Sequence, residues 1–279
     1  MVESNRKKET MPILKWAGGK RQLLSEINPL IPLSFNHYYE PFLGGGALLF
    51  SLCPANAFIS DLNSDLINVY LVIKNSPNAL LEELGKMKNT AKDYKEIRKW
   101  DRDPSFLSLS PEKRAARLLY LNHTCYNGLY RVSSKGFFNT PYGNYKKPKV
   151  INEKALFSDS RFFTENNISI TCADFETSVK GAKRGDFVYF DPPYDSFEEK
   201  PSFTAYNRKG FGKQDQARLK AVCDELNQRG VYFLLSNSAT DYIEYLYKDY
   251  HIKHIEAKRN INSVGTKRGG AEEVLVTNY

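Results

Sequence analysis

The sequence predicts a doubly wound, mostly parallel α/β sheet that carries an inserted, basic and largely helical lobe and a C-terminal β-hairpin. Continuous apolar runs of strand length alternate with helical stretches towards both ends of the chain, as is typical of parallel strands covered on both faces. Between them, residues 86–150 hold 15 Lys or Arg and 5 Asp or Glu, whereas the formal charge of the whole chain is +8. One segment therefore carries the positive charge.

Two strands, each followed by a helix, are predicted ahead of the basic segment. They are a strand over 36–42, a helix from 47, a strand over 56–63 that closes at Asp61, and a helix over 64–74. We expect Ser64 or Asp65 to cap the second helix. From about residue 64 to residue 154 the pattern is helical and then rich in turns, without strands that would continue the sheet. We interpret residues 64–154 as an insertion.

Three further strands are predicted after the insertion, followed by a hairpin. The strands cover 168–175, 185–194 and 230–238, with an amphipathic helix over 214–230 that ends at a glycine. Residues 251–259 and 272–279 form the predicted hairpin around the glycine-rich, basic stretch 260–270. The α/β domain therefore comprises residues 1–63 and 155–279.

Composition and spacing argue against several classes of protein. No run of about 18 apolar residues is present and the N-terminus is polar, so we expect a cytoplasmic protein without membrane association. The four cysteines are widely spaced, which predicts neither a disulfide framework nor a metal site. The triple glycine at 44–46 lacks the G-x-G-x-x-G spacing, which disfavours a nicotinamide oxidoreductase.

The basic segment mixes cations with aromatic and turn residues, as in CYNGLYRVSSKGFFNTPYGNYKKPK at 125–149. Most charged runs are solvated surfaces, and that interpretation stays open here. Cations interleaved with aromatics are also the mixture that contacts phosphates and stacks on bases. We therefore favour nucleic acid as the partner of this segment.

A ligand site is predicted at the carboxyl ends of the parallel strands, where ligands of open α/β sheets bind. The loop 43–46 lets the backbone approach a ligand at a helix N-terminus. Asp61, at the end of the next strand, is placed to accept both hydroxyls of a ribose. A plain tight turn is the alternative explanation of the glycines.

The strand over 185–194 stops at an acid, two prolines and a tyrosine: Asp191, Pro192, Pro193 and Tyr194. Prolines donate no backbone hydrogen bond, so the chain turns away and leaves the Pro192 carbonyl free beside the Asp191 carboxylate. Two adjacent acceptors fit a primary amine with two hydrogens, such as that of adenine or cytosine, and Tyr194 can stack on the base. An ordinary turn after a strand is the alternative.

Eight motifs are spread along nearly the whole chain: LKWAGGKRQLL at 14–24, YYEPFLGGGALLF at 38–50, ISDLNSDLINVY at 59–70, CYNGLYR at 125–131, GFFNTPYGNYKKP at 136–148, CADF at 172–175, VYFDPPY at 188–194 and LLSNS at 234–238. With these motifs in this order, the sequence resembles the Dam-type DNA adenine N6-methyltransferases. The resemblance implies a Rossmann-like methyltransferase fold, S-adenosylmethionine as methyl donor, and duplex DNA with the site GATC as substrate.

The resemblance also implies roles for individual residues. The methyl-donor pocket would be lined by Trp16, Lys20, Phe42, Gly44, Gly45, Asp61, Asp174, Phe175 and Asp191. The flipped adenine would be held by the catalytic residues Asp191, Pro192, Pro193 and Tyr194. DNA would be contacted by Lys15, Tyr126, Asn127, Arg131, Pro141 and Tyr145. Residues 1–63 and 155–279 would form the catalytic domain, and residues 64–154 the target-recognition domain.

Other functions stay open on the sequence alone. A cytosine N4-methyltransferase would need the same two acceptors, and an inactive DNA-binding protein on this fold would keep the basic lobe without needing Asp61 or Asp191. We expect a monomer that requires no metal ion. The cations Lys258, Arg259, Lys267 and Arg268 in the hairpin connection are expected to contact phosphates.

Overall fold

The computed structural model describes residues 10–16, 18–195, 211–257 and 271–279. These residues form one seven-stranded sheet of β1 (Tyr38–Glu40), β2 (Asn56–Asp61), β3 (Asn167–Cys172), β4 (Phe187–Phe190), β5 (Tyr232–Ser238), β6 (His251–Ala257) and β7 (Ala271–Thr277). The strand order is β3-β2-β1-β4-β5-β7-β6. Strands β1 to β5 are parallel, and β7 is antiparallel to both β5 and β6. The predicted mostly parallel sheet with a C-terminal antiparallel pair is confirmed.

The described residues form ten α-helices: α1 (Leu24–Ile27), α2 (Ala47–Leu52), α3 (Ser64–Asn75), α4 (Pro77–Gly85), α5 (Ala91–Lys99), α6 (Pro111–Thr124), α7 (Glu153–Glu165), α8 (Phe175–Ser178), α9 (Lys213–Gln228) and α10 (Asp241–Tyr247). Among them, none combines the length and the apolar character that crossing a membrane requires.

Helices cover the sheet on both faces. All four residues of β4 are buried, and they alternate between two apolar clusters: Phe187 and Tyr189 pack into one, Val188 and Phe190 into the other. The first cluster also contains residues of α2, α3 and α6, and the second contains residues of α9 and α10. Side chains of a strand point alternately to opposite faces, so the sheet is doubly wound.

The segment between β2 and β3 is helical up to residue 124, irregular over residues 125–152 and helical again in α7. Helix α3 packs against β3 and also against α6, which in turn contacts α4 and α5. The irregular part contains two isolated bridges, Cys125 with Tyr142 and Val132 with Phe138. The division into a catalytic domain and a recognition domain of residues 64–154 stays a prediction.

The predicted cap of α3 is wrong. Neither Ser64 nor Asp65 caps the helix; the side-chain oxygen of Asn63 accepts the backbone N–H groups of Asp65 and Leu66, each at 3.1 Å. Asn63 has extended backbone angles, which direct its amide at the first unpaired helical donors. The helix therefore begins directly after the turn that follows Asp61.

Candidate functional site

The carboxyl ends of β2, β1 and β4 lie side by side, because β1 pairs in parallel with both of its neighbours. The chain crosses from β1 to β2 on one side, and β4 is added on the other side, so the strand order reverses at this point. Such a switch point opens a crevice between the loops that follow the two central strands. The glycine loop follows β1, the turn that starts at Asp191 follows β4, and Asp61 is the last residue of β2.

The glycine loop and Asp61 are tied together. The N–H of Gly44 donates to Oδ2 of Asp61 at 3.0 Å, and the N–H of Asn63 donates to Oδ1 at 2.9 Å. The Tyr70 hydroxyl donates to the Gly44 carbonyl at 2.8 Å. Burial raises the pKa of Asp61, while the backbone hydrogen bonds from Asn63 and Gly44 oppose that rise.

Trp16 packs directly on the glycine loop. Gly44 has φ +47°, and a Cβ atom there would lie 2.8 Å from Cδ1 of Trp16; at Gly45 it would lie 3.3 Å from the Trp16 Cβ. Any side chain at position 44 would be strained and would also displace the indole. The same indole stacks on Tyr130, with 5.0 Å between ring centroids. Trp16 thus joins the crevice to the irregular part of the inserted segment.

Asp191 is held through one of its two oxygens. The Lys20 Nζ lies 2.7 Å from Oδ1, and the Ser236 hydroxyl donates to the same atom at 3.1 Å. No described residue donates to Oδ2, and the side chain is 20% exposed. Burial raises the pKa of Asp191, whereas the Lys20 charge and the two hydrogen bonds lower it. One carboxylate oxygen is therefore presented to a ligand.

Side chains from distant elements support the turn after Asp191. Gln216 donates to the Pro193 carbonyl at 3.0 Å and accepts from Asn237 at 3.1 Å. Within the described part of the chain, nothing donates to the Pro192 carbonyl. Gln216 and Asn237 are fully buried, and sequence reasoning missed both. Gln216 lies on the buried face of the amphipathic helix α9 and Asn237 in the polar end SNS of β5, so neither residue stood out in the sequence.

Tyr194 contacts two charged groups. Its hydroxyl donates to Oε2 of Glu273 at 2.7 Å, and the Lys20 Nζ lies 4.4 Å from its ring centroid. Lys20 is 5% exposed, and its ammonium also donates to the Gly18 carbonyl at 2.7 Å. Lys20, Asp191 and Tyr194 thus form one cluster, which Glu273 and Ser236 complete.

Phe42, Asp174 and Phe175 form a second group at the crevice. The Phe42 and Phe175 rings stack at 5.3 Å, and Phe175 is 3% exposed, so it acts mainly by packing Phe42. Asp174 caps α8 by accepting the Glu176 N–H, and it accepts from the Arg218 guanidinium at 2.9 Å. Much of the hydrogen-bonding capacity of Asp174 is therefore already used.

Glu40, the last residue of β1, is a buried acid that sequence reasoning did not assign. It is 2% exposed and accepts a hydrogen bond from the Tyr38 hydroxyl at 2.8 Å. Burial raises the pKa of Glu40 to about 8, against the effect of that bond, and the nearby Asp191 adds to the rise. In the sequence, the only indication of a role for Glu40 was that an acidic residue interrupts an aromatic strand.

Five of the six predicted DNA-contacting residues lie together. The Lys15 Nζ lies 5.8 Å from the ring centroid of Tyr145, whose hydroxyl accepts the Asn127 N–H at 3.0 Å. The Tyr126 N–H donates to the Pro141 carbonyl at 2.9 Å, and the Tyr126 side chain is 58% exposed. This exposed aromatic surface is made of residues from three separate stretches of chain.

The sixth, Arg131, lies in the adjacent turn. Its Nε donates to the side-chain oxygen of Asn139 at 2.8 Å, and its carbonyl accepts the Asn139 N–H. No described residue binds the two terminal nitrogens of its guanidinium. Asn139, which sequence reasoning missed, thus orients Arg131 and leaves the Nη edge available to a ligand.

Lys15 and Lys20 contact the aromatic surface and the crevice, respectively. The Asn122 side chain accepts the Lys15 N–H at 2.8 Å and donates to the Lys15 carbonyl at 2.7 Å, which fixes the backbone at Lys15 on α6. Lys15 reaches Tyr145 at one end, and Lys20 reaches Asp191 at the other. The aromatic surface and Asp191 are thus contacted by two lysines that lie five positions apart in the chain.

The four cations of the hairpin connection, Lys258, Arg259, Lys267 and Arg268, lie outside the described residues. Across the residues that the structure does describe, no group of three or more His, Cys, Asp or Glu side chains is arranged to hold a metal ion.

Comparison with known proteins matches most of the chain to one family. The D12 class N6 adenine-specific DNA methyltransferase family matches residues 16–261. The Type II methyltransferase M1.LlaDCHI of Lactococcus lactis subsp. cremoris is 46% identical over 270 residues, which cover 96% of this chain and 95% of the relative. The Type II methyltransferase M.MjaIII of Methanocaldococcus jannaschii is 41% identical, covering 97% and 100%. The DNA adenine methylase of Vibrio cholerae is 33% identical, covering 96% of each chain.

Proposed function

Because the chain belongs to the D12 class of N6 adenine-specific DNA methyltransferases, we propose that it methylates N6 of an adenine flipped out of duplex DNA, within the site GATC, using S-adenosylmethionine. The geometry of Asp191 carries this proposal. Lys20 and Ser236 hold Oδ1, and no described residue donates to Oδ2 or to the carbonyl of the following residue, Pro192. Two adjacent acceptors match the two hydrogens of the adenine amine. An adenine-specific family does not favour the cytosine N4 alternative.

Asp191 and the Pro192 carbonyl act on the amine in two ways. The nitrogen lone pair of an exocyclic amine is delocalised into the ring, and holding both hydrogens on acceptors favours a tetrahedral nitrogen with its lone pair directed outward. As that nitrogen becomes positively charged, the Asp191 carboxylate stabilises the charge more than it stabilises the neutral amine. The excess proton can then leave through Asp191 to solvent, so no separate general base is needed.

The acids of the crevice fit a cationic cofactor. Glu40, Asp61 and Asp191 stand at the ends of three adjacent strands, and burial raises the pKa of each. A neighbouring cation favours ionised carboxylates, so the site is suited to a ligand with a sulfonium or ammonium group. S-adenosylmethionine would supply an activated methyl group at this place. Its pocket would be lined by the residues predicted from the sequence, Trp16, Lys20, Phe42, Gly44, Gly45, Asp61, Asp174, Phe175 and Asp191.

The role of Asp61 is testable by cofactor binding. We expect Asp61→Ala to weaken S-adenosylmethionine binding by about 1 to 3 kcal/mol, because ribose hydroxyls would lose a charged acceptor. Asp61→Asn keeps one acceptor oxygen, which can still accept the Gly44 N–H. Its loss of S-adenosylmethionine affinity should therefore be smaller. Isothermal titration calorimetry measures both, with Asp224→Ala on α9 as a control away from the strand ends. Unchanged affinity in Asp61→Ala would assign the ribose to another residue.

The exposed aromatic surface is proposed to hold the DNA. Tyr126 and Asn127 would occupy or support the gap left by the flipped base, with Lys15, Pro141 and Tyr145 on the flanking duplex. The helices and turns of residues 64–154 would then form the target-recognition domain. The monomeric state and the cytoplasmic location stay predictions.

The sequence specificity is tested through Arg131. Since Nε is occupied by Asn139, the two terminal nitrogens can donate together to O6 and N7 of a guanine. We expect Arg131→Ala to cost about 1 to 3 kcal/mol in the specificity constant on GATC, and much less on sites altered at that guanine. The measurement is the methylation rate on GATC and on each single-base variant.

Two exposed lysines provide the matched control. Lys146→Ala and Lys147→Ala should weaken all duplexes alike, because phosphate contacts carry no sequence information. If Arg131→Ala instead slowed every substrate by one common factor, Arg131 would be a phosphate contact. If wild-type protein methylated altered sites as fast as GATC, the proposed target sequence would be rejected.

A further inference from the structure

We propose that Glu273 is a positioning residue that fixes the ring of Tyr194 for stacking on the target base, so that the C-terminal hairpin forms part of the base-binding site. This inference rests on the proposed function, in which Tyr194 stacks on a flipped adenine. Glu273 lies 79 residues from Tyr194 in the chain, and no motif in the sequence connects the two.

The two residues differ in how firmly their backbones are held. Glu273 belongs to β7, the strand between β5 and β6, where it pairs with Ser238 on one side and Ile255 on the other. Tyr194 lies in the turn after β4, outside regular secondary structure. The 2.7 Å hydrogen bond from the Tyr194 hydroxyl to Oε2 of Glu273 therefore ties the far end of a loop side chain to a sheet.

Lys20 supplies the second restraint on the ring. Its Nζ lies 4.4 Å from the Tyr194 centroid and is itself fixed by Oδ1 of Asp191 and by the Gly18 carbonyl, both at 2.7 Å. Rotation of the ring would break the bond to Glu273 or the cation–π contact. Lys20 occupies one face of the ring, so a base would stack on the opposite face.

The protonation state and burial of the two groups keep the hydrogen bond between Tyr194 and Glu273 in place. Burial raises the pKa of Tyr194 well above its usual value, and the charges of Asp191 and Glu273 add to this effect. Tyr194 therefore stays a neutral phenol that donates its proton. Glu273 is 7% exposed, so little water can replace the phenol as its partner. Tyr194 contributes its ring to the base, Glu273 fixes the hydroxyl end of that ring, and Lys20 restrains its plane.

The test compares four full-length variants on a GATC duplex. Glu273→Ala and Tyr194→Phe each remove the hydrogen bond, and each should lower kcat by about tenfold with the KM for S-adenosylmethionine within about twofold. Glu273→Gln keeps an acceptor and should retain activity within about threefold of wild type. The neighbouring exposed acid gives the control, since Glu272→Ala should behave as wild type.

A double variant separates positioning from a general effect on the hairpin. If Glu273 acts through the Tyr194 hydroxyl, Tyr194→Phe with Glu273→Ala should be no slower than either single variant. 2-Aminopurine at the target position gives a second readout, because a flipped base that stacks less well should fluoresce more strongly in the Glu273→Ala complex than in wild type. Tyr194→Phe leaves Glu273 in place and should show the same increase, so the test does not depend on the folding of Glu273→Ala.

Two outcomes would overturn the proposal. Equal slowing by Glu273→Ala in the wild-type and Tyr194→Phe backgrounds would show that Glu273 acts independently of the hydroxyl. Unchanged kcat and fluorescence in Tyr194→Phe would show that the hydrogen bond does not orient the ring. Failure of the proposed function is distinguishable from both, because in that case the wild-type protein itself would transfer no methyl group to the GATC duplex.

Discussion

Asp191→Ala should reduce methyl transfer by about a thousandfold or more while DNA and S-adenosylmethionine affinities stay within about tenfold of wild type. The carboxylate is needed mainly as positive charge develops on the amine nitrogen, so its loss affects the transition state more than the ground state. Tritiated methyl transfer to a GATC duplex measures the rate, and fluorescence anisotropy measures the DNA affinity. Ordinary turnover in Asp191→Ala would remove this residue from the mechanism.

The isosteric change Asp191→Asn provides a sharper version of this test. Lys20 can only donate, so the amide oxygen of an asparagine would take the Oδ1 position, 2.7 Å from the Lys20 Nζ in the wild-type protein. The NH2 group would then stand in place of Oδ2 and present hydrogens to the hydrogens of the amine. We therefore expect Asp191→Asn to be as inactive as Asp191→Ala. An active Asp191→Asn would show that the amine binds elsewhere.

Lys20→Met should change the pH dependence of the reaction. Burial raises the pKa of Asp191, and the Lys20 ammonium is the largest effect that opposes this rise. Without that charge the pKa of Asp191 rises further, so a smaller fraction is ionised near neutral pH. We expect kcat to fall by about a hundredfold at pH 7 and to recover partly as the pH increases, whereas wild type changes less over the same range. The measurement is single-turnover transfer between about pH 6 and pH 9.5.

Lys15→Met is the matched control for this change. Lys15 belongs to the same short stretch, but its ammonium lies by Tyr145 on the exposed aromatic surface. Its loss should weaken DNA binding without shifting the pH profile. Parallel pH profiles for wild type and Lys20→Met would mean that Lys20 does not control the ionisation of Asp191.

The fold class was predictable because its determinants are local. The apolar runs that became β4 and β5 are buried on both faces, as continuous hydrophobicity predicts. Prolines at 192 and 193 have no N–H to donate to a neighbouring strand, and the positive φ at position 44 favours glycine. The prediction of the α3 cap was wrong because several neighbouring polar residues can serve as caps. The backbone angles determine which of them does.

Sequence alone thus determined the strand-end acid, the turn that leaves a carbonyl beside it, and the basic aromatic segment, since each depends on the chemistry of a few adjacent residues. Only the tertiary structure decided that Lys20 and Ser236 hold one oxygen of Asp191, that Gln216 and Asn237 support the turn, and that Glu273 anchors Tyr194. These partners come from elements far apart in the chain, and their residue types are common on any surface. Their roles follow from burial, because a polar side chain removed from water must find a partner within the packed core.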